Sequence, residues 1–167
     1  MATTKENLQA AFAGESQANR KYLAFARQAA KEGKPNIARL FRAAAEAETV
    51  HAHTHFRNMG GVKTTVENLE AAIAGETYEA TTMYPAMVKD AEAEGNAASA
   101  KSFDLALRAE TRHAKLYRET LDVLRAGGDL ENADVYLCPV CGNVVMNKPT
   151  ANCEICNAAP DKFVKID

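Results

Sequence analysis

The 167-residue chain has no cysteine before position 138, no excess of charge of either sign, and no apolar run near the ~20 residues of a membrane-spanning helix. Each absence excludes something. The polar start, Met1-Ala-Thr-Thr-Lys-Glu, lacks the apolar stretch of a secretory signal. A net charge of −2, with acids and bases interspersed, leaves no basic stripe for nucleic acid or an anionic membrane. All four cysteines sit in two C-x-x-C pairs near the C-terminus, with none elsewhere to cross-link. In a chain without an export signal that pattern favours metal over disulfide. The expectation is a cytoplasmic protein with no nucleic-acid and no membrane partner. Its length allows one well-buried domain plus a small appendage.

Runs of β-branched residues are few, while alanine, glutamate, lysine and leucine dominate residues 4–126, a composition that favours helix. Four helices can be bracketed. Thr3-Thr4-Lys5-Glu6 has capping-box spacing and opens a first helix that runs to Glu32. Pro35 suits the first turn of a second helix, which closes at Gly60-Gly61. Thr64-Thr65-Val66-Glu67 repeats the capping box at the start of a third, where Pro85 predicts a kink. Gly95-Asn96 separates a fourth helix that ends at Gly127-Gly128.

Each helix carries a core stripe at steps of mostly three and four that begins apolar and turns acidic partway along. The second reads Ile37, Phe41, Ala44, Glu48, His51, His55, and the fourth Phe103, Ala106, Glu110, His113, Tyr117, Leu121, Leu124. The first gives Leu8, Phe12, Glu15 and Tyr22, and the third Leu69, Ile73, Glu76, Met83 and Met87. The halves echo one another. Gly14-Glu15 matches Gly75-Glu76 at an offset of 61. Tyr22 matches Tyr84, Gly33 matches Gly95, and Glu48-x-x-His51-Ala52 matches Glu110-x-x-His113-Ala114 at 62. A duplicated helical hairpin accounts for this and predicts a pseudo-twofold site.

An unpaired carboxylate in a bundle core is strongly disfavoured. Glu15, Glu48, Glu76 and Glu110 have no lysine or arginine on their own stripes, and two divalent cations would satisfy them together. In each Glu-x-x-His the two side chains share a face about 4.5 Å apart along the axis, close enough to chelate one ion. One Glu-x-x-His alone is a weak signal; two in an internal repeat, each with an acid on the preceding helix, match the carboxylate di-metal pattern of four-helix bundles. Glu79, one turn after Glu76, is either a further ligand or a solvated glutamate, and its counterpart is Gln17 or Ala18. His53 reads as a surface residue. His55 lies ~10.5 Å beyond Glu48 and is read as a core or supporting group. Tyr22 and Tyr84 lie near the site level as candidate catalytic residues, with simple packing as the ordinary alternative. Mostly carboxylate donors with two imidazoles suit iron or manganese better than zinc.

Cys138-Pro-Val-Cys141 and Cys153-Glu-Ile-Cys156, eleven residues apart, give a strong tetrathiolate signal. About thirty residues do not fold on apolar burial alone, so the metal is expected to hold this module together. Iron and zinc both accept four thiolates. A zinc ribbon is the inert reading; a single iron would deliver electrons.

Taken together, Gly14-Glu15, Glu48-x-x-His51, Gly75-Glu76-x-x-Glu79, Thr82-Met83-Tyr84-Pro85, Glu110-x-x-His113 and the two cysteine knuckles resemble the rubrerythrin family across essentially the whole chain. The resemblance implies an all-α, ferritin-like four-helix bundle over residues 1–127, a linker at 128–135, and a rubredoxin-like Fe(Cys)4 domain over 136–167. It implies that Glu15, Glu48, His51, Glu76, Glu79, Glu110 and His113 hold two irons, with Glu48 and Glu110 bridging. Cys138, Cys141, Cys153 and Cys156 would hold a third, or zinc in a recombinant sample. On oxidation one iron would exchange His51 for Glu79. The implied activity is reduction of hydrogen peroxide to water in oxidative-stress defence, with electrons from an NADH- or NADPH-dependent reductase. The family pattern is broken by a short spacer between the knuckles and by Glu154, where proline is usual. Because His113 lies about 20 Å before Gly127 along the helix axis, and the linker is short, the module is expected not to fold back onto its own site. Electrons would then pass between subunits of a head-to-tail homodimer. A ferroxidase or iron-storage bundle and a non-enzymatic zinc-ribbon scaffold are the rival readings.

Overall fold

A computed structural model describes residues 2–130 and 133–167; the expected linker, 128–135, includes residues 131 and 132, which lie outside them. The chain divides into two compact units, 1–63 and 64–167.

The first unit is a hairpin of α1 (Thr4–Lys31) and α2 (Pro35–Asn58). The expected capping box opens α1: Glu6 N–H donates to Thr3 Oγ1 at 3.2 Å, and Thr3 N–H donates to Glu6 Oε2 at 2.6 Å. The hairpin turns through Gly33 at φ +70°, with Lys34 N–H donating to Ala29 O at 2.9 Å. Its buried seam is narrow and made of small residues, Ala26 and Ala29 against Ala38, Ala45 and Ala52. A seven-residue repeat keeps such a stripe facing the partner helix, and a methyl lets the backbones approach. The acid-bearing stripe runs beside this seam, so Ile37, expected in the core, is 50% exposed.

The second unit repeats the plan and extends it. Its helices are α3 (Thr65–Tyr78), a π-helical segment (Glu79–Met83), α4 (Tyr84–Ala93) and α5 (Ala97–Arg125). Thr64 and Glu67 form the second capping box. Gly95, also at φ +70°, turns the hairpin, and Asn96 N–H donates to Ala91 O at 2.8 Å, as Lys34 does in the first. Arg118 and Arg125 of α5 tie back to Thr77 and Glu70, each at 2.6 Å.

Pro85, where a kink was expected, shows its effect in the backbone hydrogen bonding. Lacking an N–H, it cannot donate to the i−4 carbonyl of Thr81, and the chain accommodates it with five π-helical residues just before it. This segment also explains the slip in the repeat. Thr3 and Glu15 align with Thr64 and Glu76 at an offset of 61, whereas Tyr22 and Gly33 align with Tyr84 and Gly95 at 62. The extra residue falls within the stretch that holds the π turn, and a single inserted residue is what a π bulge absorbs.

A three-stranded antiparallel sheet completes the unit, in the order β2 (Val144–Met146), β1 (Val135–Leu137), β3 (Val164–Ile166). Ile155, Cys138 and Cys153 pack against Ala109 and Leu105 of α5. Among the described residues no helix is long and apolar enough to cross a membrane.

Candidate metal centres

Among the described residues three groups of donors converge, each with its donor atoms within 4.8 Å of one another: Glu15, Glu48 and His51; Glu76, Glu110 and His113; and the four cysteines. The two carboxylate groups are near copies. His51 Nδ1 lies 2.9 Å from Glu48 and 4.0 Å from Glu15. His113 Nδ1 lies 2.7 Å from Glu110 and 3.9 Å from Glu76. A cation about 2.1 Å from two donors at right angles would separate them by about 3.0 Å, so each group fits one metal through Nδ1.

The second copy is the more elaborate. Its histidine is 18% exposed against 55% for His51. Burial, a hydrogen bond shared with Glu110, and the charges of Glu110 and Glu79 push Glu76 up to about 8. A divalent cation at this group would relieve the repulsion that raises it. Burial and the Glu110 charge also raise Glu79, while His113 pulls it down. Burial raises the Tyr84 hydroxyl, as do the carboxylates of Glu79, Glu110 and Glu76. Thus Glu79 and Tyr84 feel the second group electrostatically, although Glu79 is not one of its three converging donors. Tyr22 instead packs beside Phe25 and Phe41, with both ring centroids 6.3 Å away. His53 is exposed and His55 half-buried, and neither joins a donor group.

The cysteine module is built from twin turns. Cys138 N–H donates to Asn143 O and Cys153 N–H to Ala158 O, both at 2.8 Å. The fifth residue of each turn has positive φ, Gly142 at 83° and Asn157 at 62°. Cys138–Cys156 and Cys141–Cys153 sulfurs are 3.6 Å apart. A tetrahedral metal with sulfur at about 2.3 Å requires an edge of about 3.8 Å, so the four thiols fit one. Burial works against the Cys153 thiolate, but backbone N–H groups of Cys156 and Ile155 draw it down to about 7.

The module does fold back, contrary to the expectation from linker length. His113 Nε2 sits 3.0 Å from the carbonyl of Gly142, in the first knuckle. Any seven-residue span can reach at most about 23–25 Å, which covers the return. Arg108 donates to the Glu154 carbonyl at 2.8 Å, and Arg112 Nε lies 3.1 Å from its carboxylate, off the N–H axis. Glu154, the departure at the second knuckle, therefore anchors the module to α5. With this contact the distance argument for transfer between subunits falls.

Three features escaped the sequence. Asn19 is buried and donates across the first hairpin to Ala45 O at 2.7 Å and Thr49 Oγ1 at 2.8 Å. Asn143 is buried beside sulfur. The π segment had a signal in the slip from 61 to 62; the asparagines had none, because polar residues of that size are ordinarily exposed.

A family model described as Rubrerythrin matches residues 6–121. The chain belongs to the rubrerythrin family. It is 34% identical to Rubrerythrin-2 of Clostridium acetobutylicum, over 97% of this chain and 96% of that one. It is 37% identical to nigerythrin of Nitratidesulfovibrio vulgaris, over 96% and 85%. A solved structure of nigerythrin in a partially reduced state matches at a TM-score of 0.60 and 33% identity, covering 99% of this chain and 88% of that one. Another is the fully reduced, all-ferrous state, at the same TM-score and identity. The fold class is thus ferritin-like with a rubredoxin-like four-cysteine module, and the family's cofactors are a di-iron centre and an Fe(Cys)4 centre.

Proposed function

We propose that this di-iron oxidoreductase reduces hydrogen peroxide to water, receiving electrons through its four-cysteine iron. The observation that carries this reading is His113, whose Nδ1 faces Glu110 and Glu76 while its Nε2 meets the Gly142 carbonyl beside Cys141. An Nε2–H donated to that carbonyl fixes the tautomer and leaves the Nδ1 lone pair for metal. One residue thus links the second donor group to the first cysteine knuckle, and the proposed path runs within the chain.

Glu15, Glu48, His51, Glu76, Glu79, Glu110 and His113 would hold the two irons. When bound, the irons supply the two electrons that split the O–O bond, which with two protons yields two waters. Burial raises both the Glu79 carboxyl and the Tyr84 hydroxyl beside the second donor group, which favours their protonated forms. Four unpaired thiols suit a reducing compartment, and we assign the protein to the cytoplasm with an NAD(P)H-dependent reductase as donor. We retain the homodimer that the family implies, tested by sedimentation velocity, but it is not needed to bring electrons to the site.

Cys141→Ser tests the reading. Turnover from NADH with a reductase should vanish, while the pre-reduced bundle still reacts with one equivalent of peroxide. Undiminished turnover would refute the electron path.

A further inference from the structure

The two knuckles invite comparison residue by residue. Cys138 and Cys153 open the same turn, Gly142 and Asn157 occupy the same left-handed position, and Asn143 and Ala158 each accept the closing N–H through their carbonyls. Position 143 is therefore equivalent to position 158, where a methyl group is enough. The turn itself does not call for an amide side chain.

Asn143 is nevertheless among the most buried residues, at 1% exposure. Its Nδ2 lies 3.7 Å from Cys153 Sγ, within reach of an N–H···S hydrogen bond, while its Oδ1 is buried with no partner among the described residues. Leaving a buried carbonyl unpaired costs stability. The opposite orientation would aim the carbonyl dipole at a thiolate, which repels it. The sulfur therefore sets the amide's direction, and the orphaned oxygen is the consequence.

We infer that Asn143 tunes the reduction potential of the tetrathiolate centre by donating its side-chain N–H to Cys153 Sγ. Uptake of one electron adds a negative charge to the metal and its four sulfurs, with no bond made or broken. A donor aimed at sulfur stabilises that more negative state and raises the potential. Buried from water, the dipole acts with little screening. Asn143 is a positioning and tuning group here, not a ligand. The effect is to make the module a better acceptor from the reductase.

The inference rests on iron occupying the four cysteines. Asn143→Leu keeps the branched shape of the side chain and removes the donor. Spectroelectrochemical titration of the iron-loaded full chain should show the equilibrium constant for reduction falling about threefold to tenfold. That is about 30–60 mV lower at 59 mV per tenfold for one electron. Asn152→Ala removes a neighbouring amide that bonds Asn157 and not sulfur, and should leave the potential in place. An unchanged or raised potential in Asn143→Leu, or an equal drop in Asn152→Ala, would overturn the inference. Should Asn143→Leu fail to assemble, the unmodified chain loaded with a spin-active cadmium isotope decides. Through-bond coupling between cadmium and a side-chain amide proton of Asn143 is expected, and its absence would overturn the inference. A sample isolated with only zinc at the cysteines would show no potential, while the cadmium-loaded chain would still show that coupling, so failure of the cofactor reading is distinguishable from failure of this one.

Discussion

The two hairpins present the same three metal-capable donors in the same way and differ in everything around that grip. Each places a histidine Nδ1 within 3 Å of the acid three residues earlier and near 4 Å from an acid on the preceding helix. In the first, α1 is unbroken from Thr4 to Lys31, Asn19 staples it to α2, and His51 Nε2 has no partner among the described residues. In the second, one extra residue has become a π turn. Glu79 has no acidic counterpart, and His113 Nε2 is engaged by the cysteine module. Duplication supplied two equivalent grips. The added residue and the returning module set the second apart, and the proposed electron path enters there.

The sharpest way to break that comparison is to remove each histidine in turn. His113→Ala should lower turnover from reduced module to peroxide by at least about 100-fold, because one ligand and the contact to Gly142 are lost together. His51→Ala loses a ligand alone and should cost about 10-fold. Stopped-flow oxidation of the pre-reduced protein separates them, and equal losses would remove the distinction between the hairpins.

Deleting Thr81 addresses the inserted residue. It should restore a continuous helix and turn the residues on either side by about 100° relative to one another, carrying Glu76 and Glu79 out of line with Tyr84. Metal affinity of the second group should fall about 10- to 100-fold, measured by competition with a chelator. Wild-type affinity in the deletion would show that the π segment is incidental.

A smaller effect follows from Glu76. Its carboxyl titrates near 8 in the folded, metal-free chain against an ordinary 4.5. A raised carboxyl binds more protons folded than unfolded between those values. Its contribution is therefore fully present below about pH 4.5 and is lost as pH rises through about 8. The thermal midpoint of metal-free protein should fall over that window, and Glu76→Gln should flatten it. A midpoint that climbs towards pH 8 would contradict the assignment.

The grip was legible in the sequence because it is local. Glu-x-x-His spacing, the capping boxes at Thr3 and Thr64, the turning glycines and the cysteine knuckles are set within a few residues. What was not legible depended on distant parts meeting. The return of the module rests on Ile155 finding Leu105 and Ala109, and on Glu154 finding Arg112, contacts spanning roughly fifty and forty residues. Linker length alone gave the wrong answer because it ignored that apolar contact. The acid stripes were expected to be core, but the hairpin's own seam is alanine, since two helices joined by a tight turn bury the face with the smallest side chains. Asn19 and Asn143 are buried because each has a specific partner, which no local pattern reveals.

The central claim is that electrons reach the second group through His113 of the same chain. Mixing Cys141→Ser chains with His113→Ala chains, under conditions that exchange subunits, tests it most directly. Each variant lacks one end of the path. The account predicts that the mixture stays as inactive as its parts in NADH-driven peroxide turnover. Recovery to a substantial fraction of wild-type rate would show that electrons cross between subunits, and would contradict it.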